Sequence, residues 1–123
     1  MPIVWRDEGR RENVKNRKLI DIGQLRKSAG EACGLLKVLG NPDRLLLLCQ
    51  MTEGEYCVSE LEELTGIQQP TLSQQLTVLR EEEMVSTRRD GKQVYYSIVS
   101  KEAMAVMAAL YELYCKPGKQ RNP

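Results

Sequence analysis

Between Ser59 and Glu83 the chain is punctuated by two residues that an unbroken helix does not accommodate, Gly66 and Pro70. Glycine closes helices and proline is tolerated in their first turn, so this stretch resolves into two short helices joined by a tight turn. That is the order of a helix-turn-helix. The first helix opens at Ser59, where Ser59 and Glu62 have the S-x-x-E spacing of a capping box, and ends at Gly66. The second carries Pro70 in its first turn and continues through TLSQQLTVLREEE to Glu82 or Glu83. On its wheel Leu72, Leu76 and Leu79 share one side, toward a core, whereas Thr71, Ser73, Gln74 and Thr77 point elsewhere.

The flanking segments complete the architecture. From Leu19 to Leu39, Ile22, Leu25, Ala29, Cys33, Leu36 and Leu39 recur at three- and four-residue spacing, one face of an amphipathic helix. Gly40 ends it, Asn41 caps the next helix, and Pro42 and Asp43 suit its first turn. That helix runs to about Thr52 and includes Leu45, Leu46, Leu47, Leu48 and Cys49, so it is expected at the centre of the core. Tyr56 to Val58 reads as a short extended segment. Val85 to Arg89 and Val94 to Ile98 read as strands of a hairpin, with Asp90 and Gly91 at the turn. Ser100 caps a last helix expected to reach Cys115 before Pro117 and Gly118 stop it. Because residues 103–109 contain no polar side chain, this helix is expected to cover its own core and also meet a second copy of the chain.

The fold expected is therefore mainly α with a small β-hairpin wing, a winged helix-turn-helix whose last helix meets a second copy of the chain. A length of 123 residues suits one domain. We divide it into a flexible basic N-terminal arm over 1–18, a DNA-binding and dimerisation domain over 19–116, and a tail over 117–123. No apolar run approaches the roughly 20 residues needed to span a bilayer. The opening residues lack the apolar core of a secretory signal, and the expected location is the cytoplasm.

The net charge of +1 conceals a segregation that bears on function. Arg6, Arg10, Arg11, Lys15, Arg17 and Lys18 crowd the arm, Arg88, Arg89 and Lys92 crowd the hairpin turn, and residues 53–63 hold five acids and no base. The outer face of the second helix of the pair carries no charge until Arg80, where a solvent-facing helix usually carries Lys and Glu. Glutamine, serine and threonine offer the paired donors and acceptors that match base edges in a major groove. Gln68, Gln69, Thr71, Ser73, Gln74 and Thr77 are the candidates for base or nearby phosphate contacts, the helix entering the groove by its N-terminal end. Arg88, Arg89 and Lys92 are candidates for phosphate or minor-groove contacts that add salt-dependent affinity.

The segments LLKVLGNPDRLLLL and VSELEELTGIQQPTLSQQLTVLREEEMVSTRRDGKQVYYSI closely resemble the ArsR-type small repressors, from about Leu35 to Ile98, and the terminal helix fits as well. The resemblance implies a cytoplasmic bacterial repressor, a homodimer through its first and last helices, that releases operator DNA when an inducer binds. Many members sense metals through a Cys-Val-Cys pattern near the third helix or through Asp and His ligands on the last helix. Here the first location reads Cys57, Val58, Ser59, and the chain contains no histidine. The contexts of Cys49, in LLLLCQMTEGEYCV, and Cys115, in LYELYC, resemble the sulfide- and persulfide-responsive subgroup.

That narrower resemblance implies that Cys49 and Cys115 form a redox switch: reduced thiols permit DNA binding, and a disulfide or polysulfide bridge between them releases it, with reactive sulfur species as the inducer. Cytosolic disulfides are usually catalytic or sensing, which agrees with this role. Lys116 and Lys119 favour a thiolate at Cys115, against the negative end of its helix. Cys33 is read as a packing residue and Cys57 as a remnant of the family's metal site. The alternative is an ArsR-type repressor that binds a thiophilic metal or metalloid through cysteine thiolates. A thiol oxidoreductase lacks a CxxC motif, an acid-base histidine and a cofactor loop, so neither an enzyme nor a cofactor is expected. A winged helix that binds only proteins is distinguished by having no preferred DNA duplex.

Overall fold

In a computed structural model of the protein, residues 21–115 are described. The basic arm over 1–18, the tail over 117–123 and the lysines at 116 and 119 lie outside them. Helix α1 (Ile22–Leu39) belongs up to Cys33 to a first unit, and the rest of the described chain, from Gly34, forms a second. Within the first unit Ile22, Leu25 and Cys33 of the expected apolar face are exposed, whereas Leu39 of the same face, in the second unit, is buried. Cys33 is therefore not a buried packing residue of this chain.

The second unit is built around α2 (Pro42–Met51), α3 (Val58–Thr65) and α4 (Thr71–Glu81). The cap of α2 is as expected: the Asn41 side chain accepts a hydrogen bond from the Arg44 amide at 3.0 Å, and Pro42 opens the helix. Leu47 and Leu48 of α2, Leu61 of α3, and Leu72, Leu76 and Leu79 of α4 are fully buried together. Gly66 closes α3 at φ 77°, in the left-handed region that glycine enters without steric cost. The start of α3 differs from expectation. Its cap is Cys57 and not Ser59, and the Glu60 carboxylate, not that of Glu62, accepts the Cys57 amide at 2.9 Å. The cause lies in strand β1 (Tyr56–Cys57): it pairs antiparallel with β3 (Gln93–Ile98), so the chain leaves the sheet at Cys57 and turns directly into helix.

Strand β3 also pairs with β2 (Val85–Asp90), giving a three-stranded sheet in the order β1-β3-β2. The turn falls one residue later than expected. Asp90 pairs with Gln93, leaving Gly91 and Lys92 as the loop, because Gly91 takes the positive φ of 64° at the first loop position. Helix α5 (Lys101–Leu110) is capped by the Ser100 side chain, which accepts from the Ala103 amide at 3.0 Å. It does not continue as α-helix to Cys115, but passes at Tyr111 into a five-residue π-helical turn, Tyr111–Cys115. Among the described residues α5 is covered on one side: Ala103 and Met107 are buried and Met104 is exposed, as are Tyr111, Leu113 and Tyr114 of the turn that follows.

Two leucines of α3 test this packing. Leu61 is 0% exposed and Leu64 is 55% exposed. Leu61→Ala should lower unfolding stability by about 2–5 kcal/mol, and Leu64→Ala by no more than about 0.5 kcal/mol, in chemical denaturation of the two variants.

Candidate functional site

Burial of Leu72, Leu76 and Leu79 sets which side of α4 faces the core, which leaves Ser73, Gln74 and Thr77 on its exposed side, with Thr71 half-buried. Gln68 and Gln69 are exposed just ahead of the helix. Gln69 also has a structural task, since its side-chain oxygen accepts the Ser73 amide at 3.0 Å and satisfies one of the free donors at the helix start. All six candidates are uncharged, Gln68 and Gln69 preceding the helix and the other four lying between Thr71 and Thr77. A cleft of about 350 Å³ lined by Thr77, Arg80, Glu81 and Tyr96 separates the helix from the sheet, so helix and wing border the same concave surface.

The three basic residues of the wing are not equivalent. Arg88 and Tyr95 face each other across β2 and β3, and the Arg88 guanidinium lies 4.9 Å from the Tyr95 ring centre. Beyond it, the guanidinium donates to both carboxylate oxygens of Glu55, from Nη2 at 2.6 Å and from Nε at 2.8 and 3.1 Å. This bidentate pair holds the Glu55 carboxyl below its usual range and raises the Arg88 guanidinium further. Arg88 therefore spends its charge tying β2 to the residue before β1. Arg89, on the other face of β2, and Lys92, in the loop, are exposed and make no ion pair among the described residues.

Cys49 and Cys115, 66 residues apart in sequence, line one groove of about 840 Å³ between α2 and the end of α5. Leu45, Leu46, Met104, Met107, Tyr111 and Tyr114 supply much of its apolar wall. The Cys49 thiol donates to the Met107 sulfur at 3.7 Å. Burial pushes the Cys49 thiol above its ordinary pKa, and the negative charge of a Cys115 thiolate pushes it in the same direction. All four cysteines are free thiols. Cys57 is buried with its sulfur 3.4 Å from the Ser59 hydroxyl, the one cysteine that behaves as a small core residue. Among the described residues no three Cys, Asp or Glu side chains converge as a metal site would require.

Sequence reasoning passed over Arg44, Gln75, Glu55 and Met107. Arg44 carried a legible signal: a cation in the first turn of α2 opposes the helix dipole, which requires a compensating partner elsewhere. That partner is the end of α1. Arg44 Nε donates to the Val38 carbonyl at 2.7 Å and Nη2 to the Lys37 carbonyl at 3.2 Å. Its Nη1 donates to the Gln75 side-chain oxygen at 2.9 Å.

A buried three-helix core, a helix-turn-helix with a polar outer face and an adjoining hairpin define a winged helix-turn-helix DNA-binding protein. Residues 41–87 match the family model described as bacterial regulatory protein, arsR family. The chain is 49% identical over 96 residues to the biofilm growth-associated repressor of Xylella fastidiosa, covering 78% of this chain and 84% of that one. The crystal structure of the transcriptional repressor BigR from Xylella fastidiosa superposes with a TM-score of 0.72 at 46% identity, over 79% of this chain and 99% of that one. Reduced HlyU from Vibrio cholerae N16961 superposes with a TM-score of 0.72 at 35% identity, over 76% and 98% of the two chains. The chain belongs to the arsR family of bacterial regulatory proteins: it is a transcriptional regulator and not an enzyme. No helix among the described residues is long and apolar enough to cross a membrane.

The raised pKa of Cys49 gives a direct expectation for its chemistry. Only the thiolate alkylates, so Cys49 should react with iodoacetamide more slowly at pH 7 than an unperturbed thiol, and its rate should still be climbing above pH 9. Peptide mass mapping after timed labelling reads this, and a plateau for Cys49 below pH 8 contradicts it.

Proposed function

We propose that the protein is a cytoplasmic, homodimeric transcriptional repressor whose hold on operator DNA is controlled by Cys49 and Cys115 as a thiol switch responding to reactive sulfur species. The observation that carries this reading is the placement of both thiols on the walls of one apolar groove, close enough for their charges to interact. The similar proteins include a named repressor and a regulator described in its reduced form, which support the same reading. The exposed apolar residues Ile22, Leu25 and Leu36 of α1 and Met104, Tyr111 and Leu113 at the other end of the chain supply the seam of the dimer. On the DNA side, Gln68, Gln69, Thr71, Ser73, Gln74 and Thr77 read the major groove, and Arg89 and Lys92 bind phosphate. Arg88 adds to phosphate binding only as far as its pair with Glu55 allows.

The redox step balances with a persulfide, RSSH, as oxidant. One protein thiolate attacks the outer sulfur and expels the thiol RSH, leaving a protein persulfide. The second thiolate then attacks the sulfur bound to carbon and expels hydrogen sulfide, giving the disulfide. The two thiols lose two electrons and the sulfane sulfur gains them. Where both cysteines first become persulfides, their condensation releases one hydrogen sulfide and leaves a trisulfide, a longer bridge for helices held too far apart for a direct bond. Because α2 is anchored by the fully buried Leu47 and Leu48, the bridge displaces the end of α5. The dimer seam moves with it, and the two reading helices no longer match successive major grooves about 34 Å apart.

Treatment with a persulfide donor should lower operator affinity by about 5- to 150-fold, the usual range of allosteric coupling. Cys49→Ser and Cys115→Ser should each abolish the response and leave reduced binding intact, and an unchanged response in both variants overturns the switch. Mass spectrometry of the treated protein separates disulfide, trisulfide and bound metal or metalloid. For the interface, Gln74→Ala should relax base preference by about 1–3 kcal/mol at one position, whereas Arg89→Ala should weaken all sequences alike and lower the salt slope by about 1. Retained preference in Gln74→Ala sinks the assigned reading face.

A further inference from the structure

We propose that Arg44 is a positioning residue for DNA reading: by bridging the last carbonyls of α1 to the Gln75 side chain on α4, it fixes the reading helix about its own axis. The inference rests on the DNA-reading assignment above and adds the group that sets the helix. Three observations carry it. First, Arg44 is half-buried, and its guanidinium is used on three sides at once, by Val38, Lys37 and Gln75. Second, the charge is not matched by a carboxylate, since the ion pairs among the described residues all belong to Arg88. The compensation comes from the negative end of α1, whose last carbonyls have no partner within their own helix. Third, Gln75 is half-buried on α4 directly beside the exposed Gln74, and its acceptor joins residues 31 positions apart in sequence.

The buried leucines alone leave α4 able to roll slightly, because their contacts are apolar and non-directional. A hydrogen bond to a rigid, planar guanidinium is directional, and Gln75 flanks the leucine side, so this bond defines the angle at which Gln74 and Ser73 are presented. Lysine does not replace it, since one ammonium on a flexible stem lacks the fork that meets three acceptors in fixed directions. The same link ties the orientation of α4 to the end of α1, a helix of the proposed dimer seam.

The test uses the full-length reduced protein and two duplexes: one selected by the wild-type protein from a randomised pool, and a scrambled duplex of the same composition. Gln75→Met removes the acceptor and keeps length and helix propensity; Arg44→Lys keeps charge and removes the fork; Gln75→Glu keeps an acceptor. We expect Gln75→Met and Arg44→Lys each to lose about tenfold in affinity for the selected duplex and less than about twofold for the scrambled one, the double variant being no worse than either single variant. Gln75→Glu should retain the ratio between duplexes even where its charge lowers both affinities. The unfolding midpoint and dimer mass of Gln75→Met should equal those of the wild type. Wild-type discrimination by Gln75→Met overturns the proposal. Equal losses on both duplexes together with a lower midpoint also overturn it, as do multiplying losses in the double variant. A wild-type protein that selects no duplex overturns the DNA-reading assignment itself, and this inference with it.

Discussion

Six leucines, Leu47, Leu48, Leu61, Leu72, Leu76 and Leu79, are the largest side chains sealed completely from solvent, and they come from three short helices. None of these helices is long enough to be stable in isolation, so each is held by the apolar face it contributes. Once the leucines meet, the broad arrangement is set. The opposite face of α4 must point outward, the chain after it must return along the sheet, and the end of α5 must lie near α2. Both candidate sites follow from this one packing: the reading face is the side of α4 that the core does not use, and the thiol groove is the boundary where α2 leaves the core and α5 begins to.

Charge is distributed by a similar logic. A chain with almost no net charge binds a polyanion only if its cations are well placed, and two of the arginines are held back for internal work. Arg88 fastens the hairpin to the residue preceding β1 through Glu55, and Arg44 fastens α4 to the end of α1 through Gln75. Arg89 and Lys92 then stand at the wing tip with their charge uncommitted among the described residues. The acids of residues 53–63 have a matching role at Glu55, where a carboxylate holds an arginine in place.

Much of this was readable in the sequence because it rests on local chemistry. Asn41, Ser100 and Gly66 stand where caps require them, and the three-four spacing of Leu72, Leu76 and Leu79 predicts the buried face. Two of the departures share a source in pairings between distant residues. The capping box moved from Ser59 to Cys57 because β1 joins β3, and the hairpin loop moved by one residue because pairing continues as far as Asp90 and Gln93. The roles of Arg44 and Arg88 depend on partners 31 and 33 positions away, which spacing rules do not reach. The face of α1 is legible as apolar, but periodicity alone does not say which molecule supplies its cover. The proposed Cys49–Cys115 pairing rests on resemblance, and the structure adds that both residues line one groove.

Ser73, Gln74 and Thr77 carry no charge, so on the proposed reading the contacts that choose a sequence are separate from those that respond to salt. Raising ionic strength weakens the phosphate contacts of Arg89 and Lys92 on every duplex, operator or not. Hydrogen bonds between neutral side chains and base edges release no counterions. The ratio between operator and bulk DNA is then nearly independent of ionic strength, even as absolute occupancy falls. For a regulator that must find one site among very many, this ratio is the quantity that matters, and a bacterium passing through changes in osmolarity keeps it.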